Sequence, residues 1–166
     1  MSTIGDAPSK ERKYRAIAVG GTFDSIHKGH RALLDRAFST GDVVYVGLTS
    51  DEFVSKMGKK INNDFARRKS QLISFLEKRY PSRRYEVTKL ESPFGPGMFT
   101  EGIEAVAVSD ETLPNVEQAN RKRRSLGLKD LSVEVVKLIL ADDEKRISST
   151  RVRAGEIDIE GHLLRK

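Results

Sequence analysis

Cysteine is absent from the 166-residue chain. Its absence excludes a disulfide framework, a thiolate metal site and a cysteine nucleophile together, and it fits a reducing interior. Long apolar runs are absent as well. No stretch approaches the roughly 20 apolar residues that a membrane helix needs, and the N-terminus lacks the apolar core of a signal peptide. The expectation is a soluble, cytoplasmic protein with no membrane partner. Aromatic residues make up only 7% of the chain, and none falls inside its two basic clusters, Arg67-Arg68-Lys69 and Arg121-Lys122-Arg123-Arg124. Domains that stack bases interleave aromatic with basic side chains, so no nucleic-acid partner is expected. Internal repeats and low-complexity tracts are missing too.

What is present is a well-charged chain: 33% charged, 37% apolar, and 30 basic residues against 24 acidic, a net +6. The excess suits anionic partners such as nucleotides or phosphorylated metabolites without choosing among them. The length fits one domain. Residues 1–13 are polar, carry Gly5 and Pro8 and show no apolar periodicity. They read as a flexible N-terminal tail, with residues 14–166 as a single domain.

From Tyr14 onward, short apolar runs alternate with helical patterns. Ala16–Val19, Val43–Leu48, Tyr85–Thr88, Ala105–Val108 and Leu131–Leu140 read as strands. Helical spacing marks Arg31–Phe38, the stripe of Phe65, Leu72, Ile73, Leu76 and Tyr80, and Leu113–Leu126. Lys56-Met57-Gly58-Lys59-Lys60 reads as a loop, Asn62-Asn63-Asp64 as a helix start, and Ser148–Ala154 as a short last helix. The alternation predicts an α/β fold, a Rossmann-like parallel sheet of about five strands flanked by helices.

The chemistry gathers at the first strand-to-helix junction, Gly20-Gly21-Thr22-Phe23-Asp24 followed by His27-Lys28-Gly29-His30. Ligands of open parallel sheets sit beyond the carboxyl ends of the strands. Gly20 and Gly21 let the backbone approach a ligand closely. His27 and His30, three apart at a helix start, put both imidazoles on one side, and Gly29 keeps that face open. The helix terminus adds N–H donors and a positive dipole end suited to phosphate. Fixed donors aimed where charge grows during displacement at phosphorus lower the barrier. A phosphate nucleophile is already ionised at neutral pH and needs no separate base. The other reading of the pair is metal binding, but zinc wants a third protein ligand and the one remaining histidine is His162. Ser148-Ser149-Thr150 reads as an N-cap cluster or as a polyphosphate grip, and a capped helix start can be both.

Gly21-Thr22-Phe23-Asp24 with His27-Lys28-Gly29-His30 resembles the first motif of the HxGH nucleotidyltransferase superfamily. Ile147-Ser148-Ser149-Thr150-Arg151-Val152-Arg153 resembles its second, which grips the triphosphate. Three further segments resemble the phosphopantetheine adenylyltransferases of the archaeal and eukaryotic type. These are Gly47–Glu52 after the second strand, Glu91–Pro96 after the third, and Val108–Thr112 after the fourth, continued by Asn120 and the basic run to Leu128. The resemblance spans about residues 14–155.

It implies ATP and 4′-phosphopantetheine as partners, and dephospho-coenzyme A and pyrophosphate as products. By the same resemblance His30 acts on the transition state and His27 on the nucleotide phosphates. Nucleotide binding falls to Gly20, Gly21, Thr22, Phe23, His27, Gly29 and His30 at the first motif, and to Ser148, Ser149, Thr150 and Arg153 at the second. Substrate binding falls to Thr22, Lys56, Lys59 and Asn120, with Lys60 a third loop lysine able to neutralise charge. The implied cofactor is Mg2+ carried on the ATP phosphates, with no metal ligand from a protein side chain. Ser109-Asp110-Glu111 stands where bacterial members carry an arginine-containing segment, so Arg121 and Arg123 either supply that charge or lie on an exposed basic helix. The alternative is a cytidylyltransferase forming a CDP-alcohol, whose stretch after strand two is similar to Ser50-Asp51-Glu52-Phe53. That group usually has a glycine before its distal Ser-Thr-Thr, where this chain has Arg146-Ile147. The sequence sets no oligomeric state.

Overall fold

The structure, a computed structural model, describes residues 12–164. Most of the expected tail lies outside the described residues. Its last two members, Arg12 and Lys13, pair with Asp42 and Glu134 at 3.2 and 3.3 Å.

Ala16, Ile17, Ala18 and Val19 are all buried, as in a strand covered on both faces. They belong to β1 (Tyr14–Gly21), the centre of a five-stranded sheet with β2 (Gly41–Thr49), β3 (Arg84–Leu90), β4 (Ala105–Ser109) and β5 (Ser132–Val136). The order is β3-β2-β1-β4-β5, and every pairing is parallel. The alternation of side chains along β1 divides the core. Ile17 and Val19 join Leu34, Ala37 and Phe38 of α1 (Lys28–Thr40) and Leu72 and Leu76 of α3 (Phe65–Arg79) on one face. Ala18 joins Val116 and Ala119 of α4 (Leu113–Ser125) on the other. The chain runs outward from β1 to β2 and β3, then returns to add β4 and β5 on the opposite side. At such a reversal, the loops beyond the two strand ends diverge and leave a crevice.

Two expected boundaries move for physical reasons. The last strand stops at Val136 because its neighbour β4 stops at Ser109, the residue it pairs with. Beyond it the chain leaves the sheet, and Leu140 bridges to Arg146 instead. Lys56 is not in a loop but ends α2 (Asp51–Lys56), which Ser50 caps by accepting the Phe53 N–H at 3.0 Å. Asp51 and Glu52 in its first turn complement the helix dipole. The expected helix start at Asp64 holds: its carboxylate accepts the Arg67 N–H at 2.9 Å.

The basic run on α4 is only partly an exposed face. Arg123 is buried and donates to the carbonyls of Lys129 and Thr100, at 2.7 and 3.0 Å, and to that of Met98. It thereby fastens the 3-10 turn Pro96–Phe99 to the helix. Arg121 is exposed and faces Glu117. Neither arginine lines the cleft described below.

Candidate active site

A cleft of about 1040 Å³ opens over the carboxyl ends of β1, β2 and β4. On one wall stands the start of α1. His27 has extended backbone and caps the helix, its Nδ1 accepting the His30 N–H at 3.3 Å. A nitrogen that accepts carries no proton, so the neutral His27 ring holds its proton on Nε2. His30 is set the opposite way. Its Nδ1 lies 2.8 Å from the Ser25 carbonyl, which can only accept, so the proton is on Nδ1 and Nε2 keeps a lone pair. The two rings stack with centroids 3.8 Å apart and planes 14° from parallel.

Gly29 has a more specific role than an open face. A Cβ there would come within 3.0 Å of the His27 ring, so the glycine clears space for that imidazole. Beneath the pair, Phe23 is fully buried with its ring 4.8 Å from His30. Its φ of 49° is left-handed, a conformation that costs a non-glycine residue on the order of 1–2 kcal/mol and is held here by core packing.

Burial pushes His27 down to about 3, aided by the charges of His30, Arg146 and Arg31. Burial also pushes His30 down to about 4, against the opposing Ser25 hydrogen bond and with Lys59 adding to the fall. Both rings are therefore neutral at pH 7. Together they present one N–H and one lone pair.

Two charged side chains hold the surrounding loops. Asp24, 4% exposed, accepts from the Asn62 and Asn63 backbone N–H groups at 2.9 and 3.0 Å, from Asn63 Nδ2 at 3.1 Å and from Arg153 Nη1 at 2.9 Å. Burial alone would raise its pKa, but these donors hold it below the usual carboxylate value. Arg68 is wholly buried. It donates to the carbonyls of Thr22 and Thr49 at 3.0 and 2.8 Å, to that of Asn63 at 3.0 Å, and to Asp51 at 2.7 Å. The carboxyl ends of β1 and β2 are thus joined to the segment after the lysine loop, and the Thr49 hydroxyl donates to that of Thr22 at 3.0 Å.

The far wall carries α5 (Ser149–Arg153), capped by the Ser148 hydroxyl accepting the Arg151 N–H at 3.2 Å. Ser25 Oγ donates to Ser149 Oγ at 3.4 Å across the gap. The cleft therefore brings together Gly20, Gly21, Thr22, His27, Gly29 and His30 on one side with Ser148, Ser149, Thr150 and Arg153 on the other. Lys59 and Lys60 line it as well. Arg153 is already engaged, with Asp24 and with the Thr150 hydroxyl at 3.2 Å.

Three expected contacts are placed elsewhere. The Phe23 side chain belongs to the core beneath the site. Lys56 does not line the cleft. Asn120 is buried in α4, where its Oδ1 accepts the Leu131 N–H at 2.8 Å and fixes the turn into β5.

Sequence reasoning missed Asp24, Arg68 and Arg146 as members of the site. For Arg68 a signal existed: it stands four residues before Leu72 and eight before Leu76, on the buried stripe of α3. Arg146 lines the cleft, pairs with Glu111 of the β4–α4 loop, and its charge reaches His27.

A family model described as cytidylyltransferase-like matches residues 18–155. A phosphopantetheine adenylyltransferase of Methanothermobacter thermautotrophicus is 44% identical over 156 residues, which cover 94% of this chain and 93% of that protein. The chain belongs to the phosphopantetheine adenylyltransferase family. A phosphopantetheine adenylyltransferase of Pyrococcus furiosus is 39% identical, over 94% of this chain and 98% of its own. Another, of Methanosarcina barkeri, is 41% identical over 89% and 91%. Among solved structures, a protein of unknown function from Archaeoglobus fulgidus aligns with a TM-score of 0.63 and 27% identity, over 73% of this chain and 88% of that one. A tyrosyl-tRNA synthetase from the same organism, complexed with L-tyrosine, aligns with a TM-score of 0.62 over 86% of this chain and 60% of its own. At 10% identity it shares the fold alone with this phosphopantetheine adenylyltransferase family member.

Proposed function

We infer that the chain transfers the adenylyl group of ATP to 4′-phosphopantetheine, giving dephospho-coenzyme A and pyrophosphate. Relatives that match nearly end to end are phosphopantetheine adenylyltransferases by name, which leaves the cytidylyltransferase alternative with less support. The observation that carries the chemistry is the stacked pair His27 and His30, neutral and adjacent, at the switch point of the sheet and across from Ser148–Thr150.

In this reading a phosphate oxygen of the acceptor forms a bond to the α-phosphorus as the bond to the bridging oxygen of pyrophosphate breaks. The acceptor phosphate is ionised, so no side chain has to remove a proton. His27 donates from Nε2 to a nucleotide phosphate oxygen in its neutral form. His30 must take up a proton on Nε2 to donate there, and the triphosphate charge favours that uptake. Thr22, Ser149 and Thr150 orient the phosphates, and Lys59, whose charge already reaches His30, neutralises charge growing on the equatorial oxygens. The Asp24 carboxylate is occupied by Asn62, Asn63 and Arg153, so Mg2+ fits as an ion carried on the ATP phosphates; bound there, it offsets their negative charge. Tyr45, Leu90, Phe94, Met98 and Val106 form an apolar stretch of the same cleft, suited to the pantetheine arm.

The test is substrate choice. Pyrophosphate release is measured with 4′-phosphopantetheine and either ATP or CTP, and separately with CTP and an alcohol phosphate. Turnover with ATP and 4′-phosphopantetheine is expected; turnover confined to CTP and the alcohol phosphate would overturn the reading.

A further inference from the structure

We propose that Asn63 is a positioning residue for Lys59, locking the far end of the lysine loop onto Asp24 and Arg68. The near end of that loop is a Schellman cap on α2. Gly58 N–H donates to the Ser55 carbonyl at 3.0 Å and Lys59 N–H to the Val54 carbonyl at 3.2 Å. Gly58 has φ of 74°, the left-handed conformation that this cap requires. The far end is Asn63. Its backbone N–H and its carboxamide both donate to Asp24 Oδ1, at 3.0 and 3.1 Å, and the carboxamide also reaches the Asp24 carbonyl at 3.2 Å. Its own carbonyl accepts from Arg68 Nε at 3.0 Å.

Between Lys59 and Asn62, itself held to Asp24 at 2.9 Å, only Lys60 and Ile61 remain. Two residues between fixed ends leave little slack, because each spans at most about 3.6 Å. The Lys59 backbone is therefore set from both sides, and Lys59 lines the same cleft as His30, on whose ring its charge acts. The same two anchors reach the rest of the site. Asp24 also holds Arg153 on the opposite wall, and Arg68 holds the ends of β1 and β2. Asn63 is the neutral, partly exposed member of this clamp. Its side chain can be removed while Arg153 keeps its carboxylate and the carbonyls of Thr22 and Thr49 keep their donor, which removal of Asp24 or of Arg68 would not allow.

The kinetic half of the proposal rests on the adenylyl-transfer reading; the structural half does not. The variant is Asn63→Ala, compared with wild type, with Lys59→Ala and with the double variant. Limited trypsin digestion of the native protein at Lys59 and Lys60 should run severalfold faster in Asn63→Ala, because the loop opens locally, while the thermal midpoint stays high enough to keep the protein folded in the assay. With ATP and 4′-phosphopantetheine, kcat should fall about tenfold with the KM for ATP nearly unchanged. The double variant should be no slower than Lys59→Ala alone, since both changes remove one function. Unchanged nicking at Lys59 and Lys60 would overturn the clamp. Losses that multiply in the double variant would overturn its action through Lys59. A wild-type protein without turnover would count against the reaction and leave the digestion to decide the clamp.

Discussion

His27 and His30 meet ring to ring at 3.8 Å, and each commits its Nδ1 to the main chain, His27 accepting from the His30 N–H and His30 donating to the Ser25 carbonyl. The arrangement leaves Nε2 of both rings for a ligand and fixes which of them carries the proton. The proposed catalysis then depends on a side chain whose position is held by hydrogen bonds of its own, the condition under which a fixed dipole lowers a barrier without reorganising.

His30→Ala should lower kcat by about 10²–10³-fold, the usual cost of one donor at a charged transition state. The fold should survive, since the lost ring is partly exposed. Pyrophosphate release checks the first outcome and circular dichroism the second. Near-normal turnover would remove His30 from the chemistry.

The same geometry predicts how stability responds to acid. Both rings titrate below the 6.5 of an unperturbed histidine, His27 at about 3 and His30 at about 4. Below pH 6.5 the unfolded chain binds protons that the folded chain refuses. Stability should therefore be flat above that value and fall as the pH drops from 6.5 towards 4. Thermal midpoints of wild type and His27→Gln across this range provide the check, and the variant should show the shallower fall.

ATP binding at pH 7 should be accompanied by proton uptake. His30 Nε2 has a lone pair in the free protein and must be protonated to donate to a phosphate. Calorimetric titration in two buffers of different ionisation enthalpy measures the protons taken up. An enthalpy independent of buffer would mean that His30 stays neutral in the complex.

Arg68→Leu should destabilise the protein by about 3–5 kcal/mol, because the carbonyls of Thr22, Thr49 and Asn63 together lose their donor; Asp51, largely open to solvent, adds little. Arg67→Ala, one residue away and exposed, should change stability by no more than about 0.5 kcal/mol. Urea unfolding of the two variants distinguishes them.

These neighbouring arginines show where the sequence was informative and where it was not. The strands β1 and β4, the caps at Asp64 and Ser148 and the His27–His30 junction were legible because each is a local pattern: an apolar run, a capping residue before a helix, two histidines one turn apart. The parallel sheet followed from the alternation of strands and helices, but the reversal that sets β4 beside β1 did not. What was not legible depends on partners distant in the chain. Arg68 lies on the buried stripe of α3, but its partners Thr22, Thr49 and Asp51 come from two other segments that the basic run does not announce. Asp24 looks like a motif residue until Asn63 and Arg153, 39 and 129 residues away, converge on it. The end of β5 was misplaced because a strand stops where its neighbour does. Asn120, expected at the substrate, is explained by the Leu131 N–H that it accepts.

The most direct test of the account is an experimental structure with dephospho-coenzyme A bound. The α-phosphate should lie within hydrogen-bond reach of His27 or His30 Nε2, with the pantetheine arm along Tyr45, Phe94 and Met98. A phosphate seated away from both histidines, with the arm outside this cleft, would contradict it.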